Sequence, residues 1–189
     1  MKNIRRILVD MDDVLVDFVG GALQIHGIPP NERRNRLPAG VWDTTTGLGM
    51  SPTQFMRPID AAGEGFWREL ASLPWKEELL SWIEATANEW YISTNPGHFE
   101  AAYVGKAHWL HREFGADFDR FIFTSQKHLL ATRGSLLIDD NPSNVARFRE
   151  EGGNAILFPT WGNQLYHLSD DATWYMHTLH CMLASFIFV

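Results

Sequence analysis

Asp10 and Asp12 stand two residues apart at the end of the apolar run Ile7-Leu8-Val9. A short uninterrupted apolar run bounded by charge suits a central parallel strand. Side chains at i and i+2 of a strand end point the same way, so the two carboxyls converge while Met11 turns aside. Paired carboxylates repel, and one takes up a proton unless a cation compensates them. No basic residue follows closely on the exit side, so a hard divalent cation such as Mg2+ is the simplest compensator. On this stretch alone, an acidic turn that caps the next helix explains the same residues equally well.

Three more polar clusters follow short apolar runs. Ser93-Thr94-Asn95 follows Trp90-Tyr91-Ile92, Thr124 to Lys127 follows Phe121-Ile122-Phe123, and Asp139-Asp140 follows Leu136-Leu137-Ile138. Between them the apolar spacing predicts helices over 76–87 (Leu79, Leu80 and Ile83 on one face), 98–114 (closed by Gly115) and 143–151 (stopped by Gly152-Gly153), with a last strand over 155–158. Strands alternating with helices through short connections imply an α/β fold with a doubly wound parallel sheet. Such sheets bind ligands beyond the carboxyl ends of their strands, where all four polar clusters fall.

The first crossover is too long for a single helix. Residues 15–75 therefore read as a small α-helical cap inserted after strand one, leaving 1–14 and 76–189 as the core. Pro29-Pro30, Pro38, Pro52, Pro58 and Pro74 break the cap's pattern. Short helices fit at 16–25, after Ser51-Pro52 (an N-cap followed by proline at the first helical position), and over 63–72. Its aromatics Phe18, Trp42, Phe66 and Trp67 suit a small core of the cap itself. Over 170–189, Tyr175, Leu179, Met182 and Phe186 share one helical face, and the apolar end Phe186-Ile187-Phe188-Val189 suits docking on the core or on a second subunit, a homodimer being the latter case.

With 45% hydrophobic and 21% charged residues over 189 positions, the chain is an ordinary globular one. A net charge of −7 argues against a broad nucleic-acid surface, and no apolar run reaches the length of a membrane span. The single cysteine, Cys181, excludes an intrachain disulfide. Lys2, Arg5 and Arg6 before Ile7 imitate the start of a secretion signal, but Asp10, Asp12 and Asp13 end its apolar stretch too early, so the expected location is cytoplasmic.

The four clusters, in this order and each after a strand, resemble the haloacid dehalogenase-like phosphohydrolases, over residues 7–158. Asp10-Met11-Asp12-Asp13-Val14-Leu15-Val16-Asp17-Phe18 is similar to the opening motif of the 5′(3′)-deoxyribonucleotidase branch. So are Phe66-Trp67-Arg68-Glu69-Leu70 with Leu73-Pro74, and Lys106-Ala107-His108-Trp109-Leu110. The resemblance implies a phosphoric monoester hydrolase, a 5′-nucleotidase splitting (deoxy)nucleoside monophosphates through an aspartyl-phosphate. It makes Asp10 the nucleophile, Asp12 the general acid and base, and Thr94, Asn95 and Lys127 the phosphate holders. Mg2+ falls to the Asp10 carboxylate, the Asp12 main-chain carbonyl and Asp139, with Asp140 supporting. Phe18, Trp42, Phe66 and Trp67 become the base-stacking set.

The chain makes three departures from the branch: Asp13 for its glycine, Asn95 for a frequent serine, and Ser125-Gln126 for a frequent Arg-Asp before the lysine. They bear on substrate choice rather than fold. Hydrolysis of another small phosphate ester, such as a phosphosugar, and a non-catalytic nucleotide-binding module are the rival readings. Base, sugar, and 5′ or 3′ preference are not expressed in the residues.

Overall fold

The computed structural model describes residues 4–169 together with His177 and Cys181; the expected terminal helix over 170–189 falls outside the described residues. Five strands, β1 (Arg6–Val9), β2 (Glu89–Thr94), β3 (Phe121–Phe123), β4 (Ser135–Asp139) and β5 (Asn154–Leu157), form one parallel sheet in the order β3-β2-β1-β4-β5. The doubly wound parallel sheet is the architecture expected. The order reverses at β1, so the crevice between the ends of β1 and β4 is the topological switch point.

β1 is apolar throughout its buried part because both its faces are covered. Ile7 and Val9 belong to one hydrophobic cluster with Leu79, Ile83, Trp109 and Leu110, while Leu8 faces the other cluster with Val145 and Phe148.

Between β1 and β2 the chain forms α1 (Phe18–Ile25), α2 (Arg33–Arg36), α3 (Thr44–Leu48), α4 (Pro52–Ala62) and α5 (Glu64–Arg68). α1 begins two residues later than expected because the Asp17 carboxylate caps it, accepting from Gly20 N, while Val16 N is bonded to Met11 O. α4 opens on a full capping box between Ser51 and Gln54. It carries Pro58 inside it, where a break was expected; buried Phe55 and Ile59 on either side anchor the helix across the missing N–H. α5 is shorter than the expected 63–72, since Ser72 leaves it to bridge Val16. The chain departs through 15–17 and returns through 71–73 side by side, with Asp17 N donating to Ala71 O and Leu73 N to Leu15 O.

The remaining helices, α6 (Lys76–Thr86), α7 (Glu100–Phe114) and α8 (Pro142–Glu150), lie close to their expected places. α7 starts late because Asn95 Oδ1 accepts from Gly97 N in a tight turn and Gly97 adopts a left-handed φ of 66°. Gly105 lets α5 lie directly on α7: a Cβ there would sit 2.4 Å from the Glu64 carbonyl oxygen. Among the described residues no helix is long and apolar enough to cross a membrane.

Candidate active site

The hydrogen bond from Asp10 N to Ile138 O, 2.8 Å, extends the β1–β4 ladder one step and sets Asp10 beside Asp139, the last residue of β4. Lys127, in the 3-10 turn after β3, is buried and reaches both: its Nζ lies 2.6 Å from Asp10 Oδ1 and 2.7 Å from Asp139 Oδ2. Burial opposes the Lys127 ammonium, but the two carboxylates overcome it and hold its pKa above the ordinary lysine value.

Asp139 is further fixed by Asn141 N at 2.9 Å and by the Asn144 amide at 3.1 and 3.2 Å. Burial pushes its carboxyl up to about 6, with Lys127 pulling the other way. Asp140 is raised well above the carboxylate range, by burial first and then by Asp13, Asp10 and Asp139.

Asp12 forms an ion pair with Lys106, whose Nζ also donates to Thr94 Oγ1 at 2.7 Å. Burial raises the Asp12 pKa and Lys106 lowers it. Its other oxygen, Oδ1, is out of reach of solvent and has no hydrogen-bond partner. Thr94 is therefore the residue of its pair that reaches the site; Ser93 points away, its buried hydroxyl unpartnered. Asp13 keeps the glycine-like backbone of its motif position, with φ 55°, the left-handed region. It is buried, accepts from Val19 N at 3.1 Å, and sits 3.8 Å from Arg33.

Carboxylate oxygens of Asp10, Asp139 and Asp140 lie within 4.8 Å of one another, all three residues buried. Counting Asp12 and Asp13, five acids meet three cations among the described residues, Lys106, Lys127 and Arg33, so a phosphoryl dianion approaches a surplus of acidic groups. Hard oxygen donors, crowded and under-compensated, fit a hard divalent cation, so the residues present suit a metal site. A cavity of about 320 Å3 opens over them, lined among others by Asp10, Asp12, Asn95, Lys127, Asp140, Phe18, Trp42 and Trp67. Phe66 does not line it; it packs edge-on against Phe18 and Trp67.

A family described as 5′ nucleotidase, deoxy (Pyrimidine), cytosolic type C protein matches residues 2–177. The chain belongs to this family. The mitochondrial 5′(3′)-deoxyribonucleotidase of Mus musculus is 29% identical over 175 residues, spanning 86% of this chain and 76% of the relative. A putative 5′(3′)-deoxyribonucleotidase of Staphylococcus epidermidis is 27% identical over 166 residues, 86% and 87% of the two chains. In fold, the chain is similar to a haloacid dehalogenase-like hydrolase from Streptococcus pneumoniae, with TM-score 0.57 and 18% identity over 96% of this chain and all (100%) of that one. A hydrolase of the same fold from Deinococcus radiodurans gives TM-score 0.53 and 15% identity over 94% and 89%.

In this nucleotidase-family chain Lys106 stood in a motif of the resemblance, but sequence reasoning gave it no role in the site. Its signal was present: Ala102, Gly105, Lys106, Trp109 and Leu110 form the buried stripe of α7, and a lysine in an apolar stripe needs an anionic partner. Asn144 and Arg33 were also missed. Their roles come from α8 and α2 folding back on the strand ends, which no local pattern expresses.

Proposed function

We propose that this chain is a Mg2+-dependent phosphomonoesterase converting nucleoside monophosphates, deoxynucleotides foremost, to nucleoside and phosphate. The observation that carries this reading is Lys127 bridging Asp10 and Asp139 at the switch point, in a chain of a nucleotidase family. Residues 15–75 act as a cap over the strand ends. The cytosol is the compartment we assign, on the strength of the single cysteine.

Asp10 attacks phosphorus, forming an Asp10–phosphate bond as the bond to the sugar oxygen breaks. Asp12 gives its proton to the departing alkoxide and then takes one from the water that hydrolyses the acyl phosphate. Burial favours its neutral form and Lys106 its charged form, so neither state is locked in. Lys127 and Thr94 hold phosphoryl oxygens, with Asn95 beside them and Lys106 as a further cation. Mg2+, held by Asp10, Asp139 and Asp140 with the Asp12 carbonyl as a further oxygen, would supply the charge that admits a dianion among carboxylates.

The test is phosphate release from a panel of nucleoside monophosphates and phosphosugars, in Mg2+ and in EDTA, for the native chain and Asp10→Asn. Mg2+-dependent release from deoxynucleotides, lost in Asp10→Asn, supports the reading. Release from phosphosugars alone replaces the substrate, and turnover by Asp10→Asn removes the nucleophile.

A further inference from the structure

A second cavity of about 310 Å3 adjoins the first, lined on one side from within residues 37–45 and on the other by Thr160, Trp161 and Gly162 after β5. The two cavities share Asp13, Phe18, Trp42 and Asp140, so they meet along one seam. Asp12 lines the first alone, whereas its chain neighbour Asp13 lines both.

Asp13 is one of the chain's three departures, and its side chain is held there against a cost. A φ of 55° is a conformation that glycine adopts freely and aspartate only at a penalty. What the aspartate adds is a buried carboxyl group, itself unfavourable unless something bonds to it. The group is firmly placed. Asp13 N donates to Val16 O at 2.7 Å, Oδ1 accepts from Val19 N at 3.1 Å, and an Arg33 guanidinium nitrogen lies 3.8 Å from the same oxygen. The second oxygen, Oδ2, has no hydrogen-bond partner among the described residues and, unlike Asp12 Oδ1, is not enclosed. An oriented acceptor thus stands free on the seam.

The phosphoryl steps make no use of it. Asp12 gives its proton to the leaving oxygen, and in a nucleoside 5′-monophosphate that oxygen stands one carbon from the sugar ring. The sugar therefore leaves the first cavity past the residue that follows Asp12 and lies on the way to the second. A carboxyl group keeps an accepting oxygen in either protonation state, so the partner it calls for is a donor. A deoxynucleoside 5′-monophosphate offers one sugar hydroxyl, at C3′.

Resting on the nucleoside monophosphate reading, we propose that Asp13 is a specificity-determining residue that reads the sugar, its Oδ2 accepting a hydrogen bond from the 3′-hydroxyl. A substrate without that hydroxyl strips water from the oxygen and returns nothing, so selectivity comes from the acceptor left stranded.

The test compares kcat/KM for a 2′-deoxynucleoside 5′-monophosphate and for its 2′,3′-dideoxy counterpart, in the native chain, Asp13→Gly and Asp13→Asn. The native chain is expected to favour the 3′-hydroxyl by at least about tenfold. Asp13→Gly, which suits the backbone conformation, is expected to lose that preference to within about twofold. Asp13→Asn keeps an accepting oxygen and should retain part of it. A residue that only fastened the cap through Arg33 would change both substrates alike. Asp13→Gly with the native preference therefore overturns the proposal, as does a native chain indifferent to the 3′-hydroxyl. Phosphate release from sugar phosphates and from neither nucleotide overturns the nucleotidase reading, and this proposal with it; that failure shows as missing turnover rather than as a changed ratio.

Discussion

Lys106 joins Asp12 to Thr94, pairing with the carboxylate of the first and donating to the hydroxyl of the second at 2.7 Å, from a side chain with no exposed surface. It thereby couples the loop after β1 to the end of β2 through α7. Removing one member of a buried ion pair typically costs about 3–5 kcal/mol because the other charge is stranded. In Lys106→Met, Asp12 escapes part of that cost by taking up a proton, to which burial already inclines it. The expected loss of stability is therefore at the low end, about 3 kcal/mol. Turnover falls at least about 100-fold, since a preorganised cation is gone and Asp12 is held neutral. Denaturant unfolding and phosphate release measure the two effects. Near-native turnover would remove Lys106 from the site.

Asp13 predicts an unusual pH dependence. Burial pushes its carboxyl up to about 7, with Arg33 pulling it partway back. The unfolded group has the ordinary value of 3.8, so between about pH 4 and 7 the native state binds more protons than the unfolded one. Stability contributed by this group then falls as pH rises through that window and stays low above it. The full penalty at pH 8 is about 2–4 kcal/mol. Asp13→Gly removes it and also relieves the left-handed φ of 55°, worth about 1 kcal/mol. Thermal melts in EDTA from pH 5 to 8 should show Tm falling for the native chain, a shallower fall for Asp13→Gly, and a higher Tm for that variant at pH 8. Equal slopes would contradict the assignment.

Asp13 also shows what the sequence expresses. Its place in the motif betrays a glycine position, and the backbone there is indeed left-handed, yet nothing local foretells Arg33 as its neighbour. Strands were legible because β1 and β4, covered on both faces, must be apolar without interruption, and because their polar ends cannot be buried without function. Between Thr94 and Ser93 the sequence leaves a register question, with Asn95-Pro96 favouring Thr94, and the Lys106 bond to Thr94 Oγ1 agrees with that choice. Pro58 misled because the anchors that carry α4 across it, Phe55 and Ile59, act through tertiary packing. The wall formed by Thr160, Trp161 and Gly162 was illegible for the same reason: it exists only where the segment after β5 meets residues 37–45.

The carboxylate cluster predicts how the metal acts on stability. With Asp10, Asp139 and Asp140 crowded within 4.8 Å and Asp140 strongly disposed to stay protonated, a divalent cation binds the folded state alone. At one hundred times its dissociation constant, such a ligand adds about 2.7 kcal/mol. Mg2+ should therefore raise Tm at pH 7.5. Asp140→Asn should raise Tm in EDTA, by removing the cost of keeping a buried carboxyl protonated at that pH, and shrink the Mg2+-induced rise. A full Mg2+ response in Asp140→Asn would exclude that side chain from the metal.

Gly105 tests whether α5 must stay seated on α7. A Cβ at that position would lie 2.4 Å from Glu64 O and 2.6 Å from Trp67 Cβ, and neither neighbour is the free end of a flexible side chain. Gly105→Ala gains helix propensity of about 1 kcal/mol at an interior position, which acts in favour of the variant. Overpacking against backbone costs about 1–3 kcal/mol and exceeds that gain when the contact is this short. α5 must therefore lift, carrying Trp67 away from Phe18 and from the Lys106 ammonium. The net expectation is a destabilisation of up to about 2 kcal/mol together with a rise in nucleotide KM. The asymmetry is diagnostic: a surface glycine changed to alanine in a helix stabilises, whereas this one should not. A higher Tm in Gly105→Ala with unchanged kinetics would mean that the α5–α7 contact yields easily and does not position the site.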